Sequence, residues 1–212
     1  MLRCLSEEAI KASISVADAL ASQREAFLAL EGKKVVVPER IIATTSHGSS
    51  LFKPFLCDDS FGLKVVSVRD GAVPGLILLF DAVSGLPTAL MSATFLTGLR
   101  TAAGSAVALD LLANKEATKT LTVFGAGLQA ELHAECFAHV LKRLSQIFIV
   151  NRSQEKASLL AEKLRAKLKI SVSVVDSSNS AAVEAAVSQS QCIVTATTSN
   201  KALFNGKCIA KV

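Results

Sequence analysis

Leu121-Thr122-Val123-Phe124 is a short apolar run, and it stops at Gly125-Ala126-Gly127-Leu128-Gln129-Ala130. A helical pattern follows, from about Leu128 to Leu141. Strand, Gly-x-Gly-x-x-Ala turn and helix, in that order, make the β-turn-α unit that binds a dinucleotide. The first glycine permits the tight turn, and the second lets the backbone approach a pyrophosphate. The small third residue, Ala130, lets the helix pack close to the strand. The free N–H groups and the dipole of the helix N-terminus favour an anion there.

Gly-Ala-Gly turns also occur in ordinary loops, so the flanking pattern matters more than the glycines. Ile147-Phe148-Ile149-Val150 is a second apolar run, followed by a helical stretch Gln154–Leu168. Then come Ser171–Val175, a helix near Ala181–Ser188, and Cys192–Ala196. This alternation predicts an α/β fold, with a Rossmann-type doubly wound parallel sheet over residues 114–212.

The end of the second strand bears on cofactor choice. A site that prefers NAD usually has an Asp or Glu here to accept hydrogen bonds from the adenosine ribose. This chain has Asn151-Arg152-Ser153, with Lys156 just beyond. Arg152 can form charge-assisted bonds to a 2′-phosphate, and Asn151, Ser153 and Lys156 add donors. The expectation is NADPH over NADH. The competing reading is that Asn151 and Ser153 cap the next helix while Arg152 is solvated.

Residues 1–113 read differently. Short helices are expected over Ser6–Ala12 and from Ser15, with Ser15 as cap, Asp18 at the positive end of the dipole and Gly32 at the stop. Strand signals follow at Val35–Val37, Arg40–Thr45, Ser50–Phe55, Leu63–Val68, Leu76–Ala82 and Thr88–Ser92, the last two as a hairpin. Turns carry Pro38, His47-Gly48, Asp58-Asp59, Asp70-Gly71 and Ser84-Gly85-Leu86-Pro87. A helix over Thr94–Leu112 carries Leu96, Leu99, Ala103, Val107 and Leu111 on one face. With no strand–helix alternation, this region is expected to be a separate α+β domain.

Two cations stand out in it. Lys64 interrupts the apolar strand Leu63-Lys64-Val65-Val66, and Arg100 lies in a helix of small and apolar residues. Lysine is mostly exposed, so Lys64 on a solvated face is one reading, and Arg100 in a partly buried ion pair is another. Together they can also clamp a small carboxylate. His47 and His133 stand alone, and His133 is expected on the surface of the helix after the glycine turn.

Composition narrows the function classes. Half of the 212 residues are apolar, which excludes a disordered chain and allows one or two domains. The net charge of +5 is spread out, with no basic-aromatic interleaving, so nucleic acid is not expected as a partner. Cys4, Cys57, Cys136, Cys192 and Cys208 contain no C-x-x-C pair, so no metal site or disulfide framework is expected. Mostly buried, reduced thiols in a cytoplasmic protein are expected instead. The N-terminus is no signal peptide, and Val73–Val83 holds Pro74, Gly75 and Asp81, so no membrane span is expected there.

The chain resembles the ornithine cyclodeaminase/mu-crystallin family. The resemblance rests on Phe95-Leu96-Thr97-Gly98-Leu99-Arg100-Thr101-Ala102-Ala103, on Gly125–Ala130 with His133, and on Val150-Asn151-Arg152-Ser153. Gly62-Leu63-Lys64-Val65-Val66 and Thr195-Ala196-Thr197-Thr198-Ser199 also match. It implies that Arg40, Lys64 and Arg100 bind a substrate carboxylate, with Lys64 also near the reacting nitrogen. It implies that Arg100, Thr101, Gly125, Ala126, Gly127, Leu128 and Gln129 line the cofactor's side of the site. Asn151, Arg152, Ser153 and Lys156 would surround a 2′-phosphate, with Thr197 and Thr198 by the nicotinamide.

The implied protein is a homodimer built through its first domain, and the Asn-Arg-Ser turn resembles the branch that reduces cyclic ketimines with NADPH. Ornithine cyclodeaminase, alanine dehydrogenase and non-catalytic ligand binding are the family's other activities. Family members run on for roughly another hundred residues, a domain's worth. The expectation is therefore a C-terminally truncated member with an incomplete nucleotide sheet. Lys53-Pro54, where the family commonly has methionine before proline, and Ser92, where an acid is common, depart from the pattern.

Overall fold

The computed structural model describes residues 1–69 and 73–209. The turn expected at Asp70-Gly71 and the stretch Ala210-Lys211-Val212 lie outside the described residues. The chain divides into two compact units, Met1–Arg100 and Thr101–Val212, at a point inside one long helix.

The first unit opens on β1 (Arg3–Leu5), α1 (Glu7–Ser13) and α2 (Val16–Glu31). Ser15 Oγ accepts from the Asp18 N–H at 3.1 Å, and Asp18 Oδ2 accepts from the Ser15 N–H at 2.9 Å. This reciprocal cap starts α2 and contributes about 1 kcal/mol. The helix ends at Gly32, and the left-handed residue that turns the chain is Lys33, with φ 56°.

Strands β2 (Val35–Val36), β3 (Ile41–Thr45), β4 (Gly48–Cys57), β5 (Ser60–Val68), β6 (Gly75–Asp81) and β7 (Pro87–Ser92) follow. They form one sheet in the order β1-β7-β6-β5-β4-β2, with β3 also on β4. All pairs are antiparallel except β1 with β7. The expected hairpin forms, with Leu76 opposite Ser92. The three-residue β1 is too short to leave a pattern in the sequence.

The central hairpin β4–β5 is longer than its apolar runs because polar and special residues continue it. Pro54 stands on β4 where the pairing to β3, which ends at Phe52, has not yet passed to β2 at Leu56. A residue without an N–H is tolerated at such a gap.

Helix α3 (Thr94–Leu112) follows. Leu99, Ala103 and Val107 are buried as expected, but Leu111 is 70% exposed, so the apolar face ends a turn early. Among the described residues α3 is the one helix long and apolar enough to cross a membrane by length and composition. Its Leu99, Ala102, Ala103 and Ala106 are buried in the protein.

The second unit alternates β8 (Thr120–Phe124), α4 (Leu128–Val140), β9 (Gln146–Asn151), α5 (Gln154–Leu168), β10 (Ser171–Asp176), α6 (Ser180–Ser188) and β11 (Cys192–Thr195). Its sheet is parallel throughout, in the order β10-β9-β8-β11. This is the Rossmann-type order, and its switch point falls between β8 and β11. Leu121, Val123, Phe124, Ile147, Ile149 and Val150 are almost fully buried, as a sheet covered on both faces requires. The buried Thr122 hydroxyl is satisfied by Ser190 Oγ at 2.7 Å and the Ala186 carbonyl at 3.2 Å. Lys163–Glu131 at 2.6 Å and Lys167–Glu135 at 2.7 Å tie α5 to α4.

The thiols depart from expectation. Only Cys136 is buried, Cys4 is exposed, the other three are intermediate, and all five are free. Burial pushes the Cys136 thiol up to about 12 and that of Cys192 up to about 11, so both are inert.

Candidate functional site

Gly125 ends β8 with φ +110°, and a Cβ there would lie 2.3 Å from the Ala196 carbonyl oxygen. Only glycine fits this turn, because the chains leaving β8 and β11 pass in contact. Gly127 differs: a Cβ there would meet nothing within 4 Å. It is the N-cap of α4, and no side chain caps the helix. Ala126 and Leu128 lie between and beyond the two glycines in the same turn, and the buried Gln129 Oε1 has no hydrogen-bond partner. Ala130 is fully buried. Open space over a glycine, uncapped helix N–H groups and an orphaned polar atom are what a bound pyrophosphate and ribose would occupy. A dinucleotide fits this turn.

His133 is not on the surface of α4, as expected from the sequence, but 8% exposed. Its Nδ1 donates to the Gln129 carbonyl at 2.7 Å, and its Nε2 lies 3.1 Å from Ser105 Oγ. Burial lowers its pKa, so it is held neutral, and Nε2 accepts from the serine. The ring braces the glycine turn from below against α3, through an i+4 reach that the sequence spacing alone leaves ambiguous. Thr101 sits one turn before Ser105 on that helix, its carbonyl oxygen 3.3 Å from Ser105 Oγ.

At the end of β9 both sequence readings find residues. Ser153 caps α5, accepting from the Lys156 N–H at 3.3 Å, and Asn151 Nδ2 donates to the Ser153 carbonyl at 2.9 Å. These two residues are used structurally. Arg152 and Lys156 are exposed, and neither makes a salt bridge among the described residues. Across the switch point, Thr197 lines a cleft with Thr195, Ser199, Lys201 and Phe204, and Thr198 is exposed beside it. The Phe204 ring stacks on Phe124 at 5.2 Å and closes the floor.

The first unit has its own pocket, of about 200 Å³. Lys64 on β5 and Arg100 on α3 line it with Ile14, Ala19, Ile77 and Leu99. Lys64 is half-buried in this pocket, not on a solvated face. Burial, then the charges of Arg100 and Lys53, hold its ammonium down to about 8. Arg100 is exposed and makes no ion pair among the described residues, so the ion-pair reading falls.

Lys53 was not legible as a site residue. It pairs directly with Lys64 across the β4–β5 ladder, and its pKa is lowered by burial and by the charges of Arg100 and Arg40. Counting from the turn would have found it, since Lys53 and Lys64 are each five residues from Asp58-Asp59. Arg40 stands exposed just before β3, which begins one residue later than expected. Arg100 thus acts on both lysines and Arg40 on Lys53, and no acid is among the groups that shift Lys53 and Lys64. Such a pocket attracts a small anion, and it presents a lysine that can exchange a proton near neutral pH. Among the described residues no three His, Cys, Asp or Glu side chains are grouped to hold a metal.

The ornithine cyclodeaminase/mu-crystallin family model matches residues 5–210. This chain belongs to that family. An uncharacterized cyclodeaminase of Dictyostelium discoideum is 32% identical over 95% of the chain and 64% of its own length. A Delta(1)-pyrroline-2-carboxylate reductase of Bacillus cereus is 31% identical over 76% of the chain and 50% of its own length. Among solved structures, the family's Delta(1)-pyrroline-2-carboxylate reductase from Thermococcus litoralis, in complex with NADH and L-proline, superposes with a TM-score of 0.89. It is 31% identical and covers 98% of the chain. The chain spans 65% of that protein's length, and one-half to two-thirds of the other two.

Proposed function

We propose that the protein is an NADPH-dependent reductase of small cyclic imino acids, such as pyrroline- or piperideine-2-carboxylate. The observation that carries this reading is the half-buried Lys64, beside Arg100 in a small cationic pocket, with its pKa held down to about 8. A neutral-pH reductase of a C=N bond needs a cation to hold the α-carboxylate and a proton for the nitrogen. Arg40, Lys64 and Arg100 bind the substrate's carboxylate charge, Lys64 and Arg100 directly at the α-carboxylate, and Lys64 gives its proton to the imine nitrogen. The nicotinamide supplies the hydride that reaches the imine carbon, so C=N becomes CH–NH.

Arg100, Thr101, Gly125, Ala126, Gly127, Leu128 and Gln129 line the cofactor, with Thr197 and Thr198 on the nicotinamide side. Arg152 and Lys156 hold the 2′-phosphate, with Asn151 and Ser153 shaping their turn. In this reading residues 1–113 bind substrate and form a homodimer, and residues 114–212 bind the cofactor. Val36, Val37, Ile41 and Ile42, all more than half exposed, are the apolar residues a partner would cover. Five free thiols suit a cytoplasmic setting.

NADH is the second reading, since the relative from Thermococcus litoralis was solved with it. Two melts decide between them. With NADPH at a hundred times its Kd the midpoint should rise by an amount equivalent to about 2.7 kcal/mol, and with NADH at the same concentration by much less. Arg152→Ala should remove that difference. An equal response to both nucleotides in the unaltered chain would reject the 2′-phosphate role. Turnover of pyrroline-2-carboxylate that persists in Lys64→Ala would reject the proton role.

A further inference from the structure

Lys53 and Lys64 occupy directly opposed positions on adjacent antiparallel strands. Opposed residues of such a pair project from the same face of the sheet, so two ammonium groups stand side by side. Like charges placed this way oppose folding unless something compensates them. Among the described residues no carboxylate does so, since neither lysine makes a salt bridge. The groups that act on them are cations, Arg100 on both and Arg40 on Lys53. Lys53 is itself partly buried. The arrangement therefore runs from Lys64 and Arg100 in the pocket to Lys53 and Arg40, and none of the four makes a salt bridge among the described residues.

One α-carboxylate neutralises one of these four charges, and Lys64 with Arg100 suffice to hold it. A ligand with a single carboxylate leaves Lys53 and the Arg40 charge that acts on it uncompensated. A second carboxylate on the far side of the same small ring would meet them.

We propose that Lys53, set opposite Lys64 on the β4–β5 hairpin, makes this pocket selective for dicarboxylic imino and amino acids. Lys64 and Arg100 take the carboxylate beside the reacting carbon, and Lys53 with Arg40 takes the distal one. This rests on the reading of the first unit as the amino-acid pocket and names the substrate class within it.

The test compares two ligands of one ring: L-proline and cis-pyrrolidine-2,5-dicarboxylate. Each is titrated calorimetrically into the 212-residue chain at pH 7 and low salt. The dicarboxylate should bind at least tenfold more tightly, and its advantage should shrink as salt is added. Lys53→Met, which keeps the side-chain volume, should bring the ratio of the two affinities near one. Lys53→Arg should keep the preference, which separates charge from any effect of the substitution on folding. Equal affinities in the unaltered chain, or a preference that survives Lys53→Met, would overturn the inference while leaving the amino-acid pocket standing. Binding of neither ligand would remove the pocket reading and this inference with it.

Discussion

The two units bury their sheets in different ways. In the second, four parallel strands alternate with helices, and residues such as Val123, Ile147 and Ile149 have no exposed surface. Apolar runs there are continuous because both faces of a parallel sheet need covering. In the first, the sheet is almost all antiparallel, and every residue of β3 is exposed, with Ile41 at 65%. An antiparallel sheet can leave one face open. In this protein the open region carries Ile41, Ile42, Val36 and Val37 among its exposed residues, more apolar than a solvated face needs to be. The glycine turn belongs to the unit with the covered parallel sheet and the cationic pocket to the unit with the more open one. The turn is fixed by backbone geometry, and the pocket by side chains whose charges repel.

The largest test of this contrast is a pair of truncations. Ile149→Ala, at a fully buried position of the parallel sheet, should cost about 2–5 kcal/mol in urea melts. Ile41→Ala on β3 should stay within about 0.5 kcal/mol for an isolated chain. A clearly larger and concentration-dependent loss at Ile41 would mean that a second copy covers this face in solution.

The glycine pair comes next. Gly125→Ala should destabilise by about 3 kcal/mol, from left-handed strain plus the clash with the Ala196 carbonyl. Gly127→Ala should change stability by no more than about 1 kcal/mol, since its φ is −98° and its Cβ meets open space. It should nonetheless shrink the NADPH-induced rise in melting temperature. A full rise in Gly127→Ala would move the pyrophosphate away from that turn.

The smallest effects are titrations, and they run on opposite sides of neutrality. Lys64 has a pKa of about 8 in the fold against an ordinary 10.5. Between those values the unfolded chain keeps a proton that the folded chain has lost, so Lys64 contributes a stability that rises with pH across that window. Carboxylate binding should weaken over the same window, as the ammonium is lost. His133 is lowered from 6.5 by burial. Below 6.5 the unfolded chain takes up a proton that the fold resists, so stability should fall with acid. His133→Gln should flatten that acid limb, and Lys64→Met the alkaline one. Unaltered pH profiles in those variants would assign the titrations to other groups.

Strand, turn and helix of the second unit were legible because each follows from neighbours in sequence. The apolar runs set the strands, Gly125 and Gly127 set the turn, and Ser153 set the start of α5. The family resemblance carried by those motifs led to the same assignment as the family match over residues 5–210. The three-residue β1 left no pattern, because its only partner, β7, is more than eighty residues away. The surface position expected for His133 failed because its burial depends on Ser105 of a different helix. The alternative reading of Arg100 as an ion-pair member fell because it makes no salt bridge among the described residues and its charge acts on Lys53 and Lys64, brought there by the sheet.

Local sequence by itself determined the glycine turn, the parallel alternation and the presence of Lys64 and Arg100, since backbone sterics and hydrophobic period act over a few residues. Only the tertiary structure decided that Arg100 and Arg40 bring their charges to the Lys53–Lys64 pair, and that His133 is buried and neutral. Those are interactions between different elements of the chain. Their strength depends on distance and desolvation, which exist only once the chain has folded.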